Sequence, residues 1–304
     1  MELTVPDKNM ISIIYNARLI SSKELALEII DKLNIHSTSW ISSAGDLMSN
    51  TANLSNTRIA IIIGGDGTIL RSIRTLSPYD IPVVGVKMGK VGFMAELDPS
   101  EVFEKLPYFL DQKNVSNANI RTELRMMLEA NITSDDAKMP RITIHALNDV
   151  TVGTSQTARL VELEAYINET HITNYRADAI IASTATGSTG YALSAGGPII
   201  FPEAELMILQ PVAPHTGLRD GIILSPDSTI RLNATKGYQA SISADGFIDS
   251  VLNPDEYVTI KRSPYTAKFL REHQPDFFFT ALKLRLGLAY RSQRPLENGN
   301  QQEF

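Results

Sequence analysis

One apolar segment constrains the fold of this 304-residue chain more than any other feature. Residues Arg58 to Ile63 read RIAIII, and the run ends abruptly in the turn Gly64 to Thr68 (GGDGT), which opens the helix-like stretch TILRSIRTL. A continuous apolar run of this length is typical of a parallel strand that is buried on both faces. Because parallel strands need helical crossovers, the segment predicts an α/β domain.

Two flanking segments extend the same pattern. Met10 to Leu33 reads as an apolar strand, ISIIY, followed by a helix for which Ser21 and Glu24 form a capping box. Ile81 to Val86, IPVVGV, supplies another buried strand. We therefore expect an α/β domain over residues 1–118.

The pattern changes beyond about residue 120. Alternate residues of the segment 161–167 are apolar, which is typical of a half-buried strand. The same period returns from Ile230 to Ile242, where Lys236-Gly237 is a predicted hairpin turn. One strand inside this region, Ala179 to Ser183, is apolar or small throughout. The alternation predicts an antiparallel β-sandwich over residues 119–262.

Composition narrows the classes of function. The chain has 28 basic and 34 acidic residues, a formal charge of -6, and no long Lys/Arg run, so we expect no nucleic-acid partner. The opening MELTVPDKNM resembles no signal peptide, and no apolar run approaches the roughly 20 residues of a membrane helix. We therefore expect a cytoplasmic protein without a membrane partner. The absence of cysteine fits a reducing compartment and excludes thiol catalysis and thiolate metal sites.

The GGDGT turn has the form of a phosphate-binding site. Its glycines leave backbone N–H groups unshielded at the start of a helix, where the helix dipole favours negative charge. Asp66 would repel a phosphate there unless it accepts a hydroxyl proton or holds Mg²⁺ through water. A tight turn that needs positive φ, with Asp66 as a structural cap, is the alternative interpretation. The chain has no GxxxxGK[ST] motif and no strand that leads into GxGxxG.

A second loop, TATGSTGYALSAGG at Thr184 to Gly197, is rich in hydroxyls and glycines. Backbone can approach a ligand closely in such a loop. Tyr191 and Ser194 stand three positions apart and share one helical face, so a ring and a hydroxyl can address the same bound group. Stacking on a base is one use of Tyr191. A small-residue helix packed on a sheet, with Tyr191 in the core, is the alternative.

Together the two loops resemble the NAD kinase family, which shares GGDGT with diacylglycerol and sphingosine kinases and with phosphofructokinases. The most specific match is DAIIASTATGSTGYALSAGGPI at Asp178 to Ile199, which is similar to the family's DG…TPTGSTAYxLSAGGPI. Further family-like stretches follow in family order: GVKMGKVGFM at 85–94, RMML at 125–128, ALND at 146–149 and SADG at 243–246.

The resemblance implies a two-domain fold with NAD in the cleft between an α/β domain and a β-sandwich, and a C-terminal segment, 263–304, that returns to the first domain. It implies transfer of the terminal phosphoryl group of ATP to the 2′-hydroxyl of the adenosine ribose of NAD, which gives NADP. The implied partners are NAD and ATP, with a divalent metal ion, Mg²⁺, carried with ATP. A homodimer or homotetramer is also implied.

The resemblance further assigns roles to residues of this chain. Asp66 would be the catalytic base beside the adenosine ribose. Asn148 and Asp149 would hold the adenosine portion, on which Tyr191 would pack. Asp178 and Gly190 would face the nicotinamide end, and Thr186, Thr189 and Ser194 would supply polar contacts. Asp245 matches another family aspartate near the ligand. The other candidate nucleotide-binding residues are Gly64, Gly65, Gly67 and Thr68 of the GGDGT turn, together with Lys87.

Five positions depart from the family pattern. Asp149 replaces the usual Glu, so its carboxylate is one methylene shorter and its reach to a ribose hydroxyl stays open. Lys87 stands where Asn is common, and it is either an extra phosphate ligand or a solvated surface residue. The other three are small-residue exchanges: Ala179 for Gly, Ala185 for Pro and Gly190 for Ala.

Two rival functions stay open at the level of sequence. A lipid or sugar kinase could use the same GGDGT turn, although the TGSTGY segment argues against it. A non-catalytic dinucleotide sensor could keep the pocket without the transfer step, although the retention of Asp66 argues against that.

Overall fold

The computed structural model describes residues 8–89, 92–111, 120–134, 139–154, 159–235, 238–253 and 255–287. The strands are β1 (Met10–Tyr15), β2 (Ser39–Ser43), β3 (Thr57–Gly64), β4 (Val83–Lys87), β5 (Arg121–Ser134), β6 (Ile142–Ala146), β7 (Asp149–Thr154), β8 (Val161–Ile167), β9 (Thr170–Ala177), β10 (Ala179–Thr184), β11 (Met207–Val212), β12 (Ile222–Leu224), β13 (Ile230–Ala234), β14 (Ala240–Ala244), β15 (Phe247–Leu252) and β16 (Glu256–Arg271). The helices are α1 (Ile20–Lys32), α2 (Thr51–Ser55), α3 (Asp66–Leu76), α4 (Val102–Leu110), α5 (Tyr191–Ser194) and α6 (Phe277–Arg285).

The N-terminal part is the predicted α/β layer structure. Strands β2, β1, β3 and β4 lie side by side in parallel. Alternate residues of β3 face opposite layers: Ile61 and Ile63 pack in the same core cluster as α1 and α4, whereas Ala60 and Ile62 pack with α3. Helices therefore cover both faces of β3, which is the physical reason for its unbroken apolar run.

The C-terminal part is the predicted antiparallel sandwich. Its second sheet has the order β12-β11-β10-β7-β14-β15, and it packs on the antiparallel half of the first sheet. In β8, Val161, Leu163 and Ala165 are buried and alternate with half-buried neighbours, as predicted. Strand β10 is buried at every position because it lies in the middle of the second sheet. The predicted turn at Lys236-Gly237 lies outside the described residues.

The long strand β16 joins the two parts. Near its start, Ile260 pairs antiparallel with Ile230 of β13, and near its end Phe269 pairs in parallel with Val83 of β4. One sheet therefore runs from the α/β layer into the sandwich. The end of β16 lies beside β4 of the N-terminal part. In the described part of the chain, none of the helices is both long and apolar enough to cross a membrane.

The predicted capping box at the start of α1 is wrong. The helix begins at Ile20 after Leu19, which provides no side-chain cap, so Ser21 already lies inside the helix. The next residue explains the difference: Ser22 Oγ donates a 2.8 Å hydrogen bond to the carbonyl of Ile63 and accepts one of 2.9 Å from the N–H of Asn16. A tertiary contact with β3 fixes the start of this helix.

Candidate active site

The GGDGT segment forms the predicted strand-to-helix turn. β3 ends at Gly64, and α3 begins at Asp66 with Gly65 as its N-cap. A β-carbon added to Gly65 or Gly67 would meet no atom within 4 Å, so this side of the turn faces open space. Free N–H groups of the first helical turn are therefore accessible to a ligand.

A cavity of about 360 Å³ adjoins the turn. We call it the anion cavity; it is lined by Asn16, Ala17, Arg18, Ala44, Gly45, Gly65, Gly67, Thr68, Arg71 and Phe247. The Cζ atom of Arg71 lies 4.5 Å from the ring centroid of Phe247. Neither Arg18 nor Arg71 forms an ion pair with a carboxylate among the described residues. Two unpaired guanidinium groups beside backbone amides suit a polyanion such as a triphosphate.

The side chain of Asp66 lies against a neighbouring loop. Its Oδ2 accepts a 3.1 Å hydrogen bond from the N–H of Phe93, and its Oδ1 accepts one of 3.3 Å from Met94. A β-carbon at Gly92 would fall 2.1 Å from Oδ1, so this close approach requires glycine. Arg285 Nη1 donates to Oδ2 at 3.0 Å. Asp66 therefore has a fixed orientation at the start of α3, and these hydrogen bonds leave acceptor capacity on Oδ1.

Asp245 holds the loop that carries two of the predicted ligand contacts. Its carboxylate accepts hydrogen bonds from the N–H groups of Leu147 (3.0 Å), Asn148 (2.7 Å) and Asp149 (3.3 Å). Asp245 itself has a φ of 52°, in the left-handed region that aspartate tolerates in turns. Because backbone groups occupy both carboxylate oxygens, the contribution of Asp245 visible in the structure is to shape the 147–149 loop.

Asp149 is a buried carboxyl beside a second one. Burial and the neighbouring Asp245 raise the pKa of Asp149 to about 7, against a hydrogen bond from Thr151. Burial also raises the pKa of Asp245 to about 6, although its backbone hydrogen bonds oppose the shift. Near neutral pH, Asp149 is therefore partly protonated and can either donate to or accept from a ribose hydroxyl.

The second predicted loop packs directly on the 147–149 loop. Thr184, the last residue of β10, donates from Oγ1 to the carbonyl of Leu147 at 2.6 Å and from its N–H to the carbonyl of Asn148 at 2.9 Å. Gly187 follows so closely that a β-carbon there would lie 2.1 Å from the Asn148 carbonyl oxygen. The two loops thus form one continuous wall.

Two buried polar atoms in this wall, Asn148 Oδ1 and Thr186 Oγ1, have no hydrogen-bond partner among the residues that the structure describes. Buried polar atoms are usually satisfied, so these two are candidate ligand contacts. The other hydroxyls nearby bond locally: Thr189 Oγ1 donates to the Thr186 carbonyl at 3.3 Å, and Ser194 Oγ lies 3.5 Å from the Gly190 carbonyl.

Tyr191 begins α5, the short helix after this loop. The residue is 46% exposed, so the alternative interpretation of a core tyrosine is wrong. An exposed ring at the edge of the wall is free to stack on a ligand.

Two predicted positions stand apart from this wall. Asp178 precedes β10, whereas Ser183 lies at the other end of that strand beside Asp149, which places them about 17 Å apart at the usual strand rise. The fold of one chain therefore does not bring Asp178 to the 147–149 loop. Lys87 Nζ forms a 2.8 Å ion pair with Asp98, which offsets its charge, so the lysine is not simply solvated.

Helix α3 is tied to the sandwich side of the site. Arg74 Nη2 forms a 2.7 Å ion pair with Asp249, and its Nη1 lies 3.4 Å from the carbonyl oxygen of Ala244. Leu147 packs in the same core cluster as Ile69 of α3. These contacts pack α3, the helix that follows the GGDGT turn, against Leu147 of the 147–149 loop and against the sandwich.

A buried ion-pair network supports the loop that binds Asp66. Arg271 Nη1 lies 3.1 Å from Glu96 Oε2, and its Nη2 lies 3.3 Å from Glu123 Oε1, which also pairs with Arg125. Although burial opposes it, the two guanidinium groups lower the pKa of Glu123 to about 2. The network fixes residues 92–97 against the end of β16.

Four residues near the site were missed by the sequence reasoning. Arg71 was detectable, because it lies on the helix that follows GGDGT. Arg18, Phe247 and Arg285 are distant in sequence, and no local pattern connects them to the turn.

Comparison with known proteins agrees with this arrangement. The family model of the ATP-NAD kinase N-terminal domain matches residues 12–114, and that of the ATP-NAD kinase C-terminal domain matches residues 147–272. A protein named NAD kinase from Dehalococcoides mccartyi strain CBDB1 is 34% identical over 277 residues, which cover 91% of this chain and 95% of that protein.

Two solved structures share the fold. Yeast NADH kinase complexed with NADH has a TM-score of 0.79 at 21% identity and covers 96% of this chain and 91% of its own. An NAD kinase from Archaeoglobus fulgidus in complex with ATP has a TM-score of 0.69 at 24% identity, with coverages of 90% and 98%. The sequence match over nine-tenths of the chain, together with both family models, shows that this chain belongs to the ATP-NAD kinase family.

Proposed function

We propose that this protein transfers the terminal phosphoryl group of ATP to the 2′-hydroxyl of the adenosine ribose of NAD, which gives NADP and ADP. The observation that carries the proposal is the position of Asp66. Asp66 is the first residue of α3, between Gly65 and Gly67, which line the anion cavity. Its carboxylate accepts hydrogen bonds from the 92–94 loop, and Ile69 of α3 packs in the same core cluster as Leu147 of the 147–149 loop.

The substrates divide between the two sides of the site. Backbone amides at Gly65 and Gly67, with Arg18 and Arg71, bind the phosphates of ATP in the anion cavity. Thr68 lines the same cavity. The Archaeoglobus fulgidus relative is in complex with ATP in its own structure, which supports ATP as the donor.

NAD lies along the wall formed by the two loops. Asn148 and Asp149 contact the adenosine ribose, Tyr191 stacks on the adenine, and the partnerless Thr186 Oγ1 supplies a further polar contact. The yeast relative is complexed with NADH, a dinucleotide of the same shape, which supports a dinucleotide as the acceptor. Asp245 acts through the loop it holds.

Phosphoryl transfer moves one proton, forms one phosphorus–oxygen bond and breaks another. The 2′-hydroxyl oxygen bonds to the terminal phosphorus of ATP, and the hydroxyl proton moves to Asp66. The bond from that phosphorus to the bridging oxygen breaks, and ADP leaves. Much of the rate comes from holding the two substrates in line.

Mg²⁺ is proposed to arrive with ATP. The described residues contain no group of three His, Cys, Asp or Glu side chains with metal-site geometry, so the donor set fits an ion held mainly by phosphate oxygens. When bound, the ion neutralises negative charge on the phosphates.

A cytoplasmic homo-oligomer completes the proposal. ATP and NAD are both available in the cytoplasm. If Asp178 contacts the nicotinamide end, as the resemblance implies, a second copy of the chain is the simplest source of it, because Asp178 lies at the far end of β10 from the wall.

One assay tests the function. The protein is incubated with ATP, Mg²⁺ and NAD, and NADP is measured with a strictly NADP-dependent dehydrogenase; omission of ATP is the control. Parallel reactions replace ATP by polyphosphate, or NAD by diacylglycerol or a fructose phosphate. Binding of NAD without any NADP would establish a sensor, and phosphorylation of a lipid or sugar alone would establish the rival kinase. Either result would refute the proposal.

A further inference from the structure

The last described helix ends at the proposed catalytic base. Helix α6 spans Phe277–Arg285, and Arg285 Nη1 lies 3.0 Å from Asp66 Oδ2, although 219 positions separate the two residues. The Arg285 side chain is 41% exposed and the Asp66 side chain 20% exposed. This ion pair therefore lies at the surface of the site, where a bound substrate can reach it.

Several contacts hold Arg285 in this place. Its Cζ lies 4.5 Å from the ring centroid of Phe93, whose N–H also donates to Asp66. The ring of Phe93 lies 5.8 Å from that of Phe278 in α6. The same loop therefore orients the carboxylate and the guanidinium.

The chain before α6 is anchored to this loop as well. Glu96 Oε1 accepts hydrogen bonds from the N–H groups of Glu272 (2.8 Å) and His273 (2.9 Å). Arg271 is fixed between Glu96 and Glu123. These contacts fix the segment that leads into α6, and with it the position of Arg285 at the end of the helix.

Charge explains why a cation is needed there. The terminal phosphoryl group must come within about 3 to 3.5 Å of the hydroxyl oxygen that Asp66 binds, so its oxygens approach the carboxylate. Two negative groups at that separation repel each other. The repulsion acts while the phosphoryl group approaches and Asp66 is still ionised, because the phosphoryl oxygens carry negative charge.

Four other cations near the site have partners other than Asp66. Lys87 is paired with Asp98, Arg271 and Arg125 are buried against glutamates, and Arg71 stacks on Phe247 in the anion cavity. Among the described residues, Arg285 is the cation in direct contact with Asp66.

We propose that Arg285 is a catalytic residue that binds the terminal phosphoryl group during its transfer, an inference that rests on the proposed function. A guanidinium has five N–H donors in a fixed fork, so Arg285 can keep one on Asp66 and direct others to phosphoryl oxygens. The ribose oxygen bonds to phosphorus, the bond to the bridging oxygen of ADP breaks, and the hydroxyl proton goes to Asp66. Arg285 exchanges no proton.

Arg285→Met tests this role. Methionine keeps an unbranched side chain on the ring of Phe93 but removes the charge and the donors. Lys283→Met is the matched control, because Lys283 is exposed in the last turn of the same helix. We expect kcat of Arg285→Met to fall about 10²- to 10³-fold, the usual cost of one transition-state donor, with KM for NAD within about threefold. Lys283→Met should match the parent protein, and Arg285→Lys should lie between the parent and Arg285→Met.

A binding measurement separates catalysis from structure. Calorimetry compares ADP alone with ADP plus aluminium fluoride, a mimic of the transferring phosphoryl group, both in the presence of NAD. Arg285→Met should weaken the aluminium fluoride complex about 10²-fold or more and change ADP and NAD binding little.

Three results would overturn the inference. A rate equal to the parent's would show that Arg285 takes no part, and a higher rate would show that its ion pair blocks Asp66. Equal losses in binding of NAD, ADP and the aluminium fluoride complex, with a lower melting temperature, would show a structural role. A parent protein that forms no NADP would refute the proposed function, whereas an active parent with an equally active Arg285→Met variant refutes this inference alone.

Discussion

Replacing Asp149 by asparagine should stabilise the protein and weaken its binding of NAD. Asp149 is buried beside Asp245, and its pKa is raised from an ordinary value of 3.8 to about 7. Asparagine has nearly the same shape and can still accept the hydrogen bond from Thr151, but it carries no charge. The substitution therefore removes an unfavourable buried charge without leaving a cavity.

The size of the effect follows from the pKa. The rise from 3.8 to about 7 spans about three pH units, and each corresponds to about 1.4 kcal/mol. The upper bound on the gain in the free energy of unfolding is therefore about 4 kcal/mol. Because Asp149 and Asp245 titrate as a pair, we assign about half of this, about 2 kcal/mol, to Asp149.

The upward direction of the pKa shift of Asp149 determines the pH range in which the substitution stabilises the protein. The folded carboxyl binds its proton more tightly than the unfolded one, so the folded state loses stability as pH rises from about 4 to 7. Asparagine does not titrate, and the gain in Asp149→Asn should therefore be near zero at pH 4, grow up to pH 7 and then level off. Above pH 7, about 2 kcal/mol corresponds to roughly 3 to 6 °C in melting temperature.

Thermal and denaturant unfolding across pH 4 to 8.5 measure this difference. Asp178→Asn is the matched control, because the same change at an exposed position of the sandwich should stay within about 0.5 kcal/mol at every pH. In calorimetry at pH 8, Asp149→Asn should bind NAD about tenfold more weakly, since it loses a charged acceptor for a ribose hydroxyl. A gain that does not depend on pH, or no gain at pH 8, would refute the electrostatic reasoning; unchanged NAD affinity would refute the ribose contact.

Three further substitutions test other parts of the site. Asp66→Asn should lower NADP formation at least about 10²-fold with little change in NAD affinity, because a positioned base contributes about 10² to 10⁴ in rate; near-parent turnover would show that Asp66 is not the base. Tyr191→Ala should weaken NAD binding by roughly 1 to 3 kcal/mol, the usual value of stacking on a base, and calorimetry with an unchanged affinity would contradict it. Glu123→Gln should lower the free energy of unfolding by about 3 to 5 kcal/mol, because it leaves Arg271 and Arg125 buried without that carboxylate. Since the pKa of Glu123 is lowered from 4.5 to about 2, its contribution to the free energy of unfolding is present above pH 4.5 and is lost as pH falls toward 2. In guanidinium chloride unfolding, the difference in stability between parent and variant should therefore be smaller at pH 3 than at pH 7. An equal difference at both pH values would be inconsistent with this reasoning.

The sequence by itself determined the elements whose cause is local. The apolar run of β3 predicted a buried parallel strand, and helices cover both of its faces. The alternation in β8 predicted a strand with one buried face, since side chains point to opposite sides of a strand. The glycines of the GGDGT turn and the hydroxyl-rich loop before Tyr191 carried the resemblance to the family. Burial and turn chemistry act over a few residues, so they can be read from a few residues.

Only the tertiary structure decided which side chains meet. Ser22 bonds to β3, which the capping pattern at Ser21 did not predict. Asp245 binds the backbone of the 147–149 loop, and Arg285 reaches Asp66 across 219 positions. The contact of Arg285 depends on β16, which carries the chain from the sandwich to the α/β layer. No local pattern encodes them, because hydrogen bonds and ion pairs between distant segments form only where the packing of the whole chain brings those segments together.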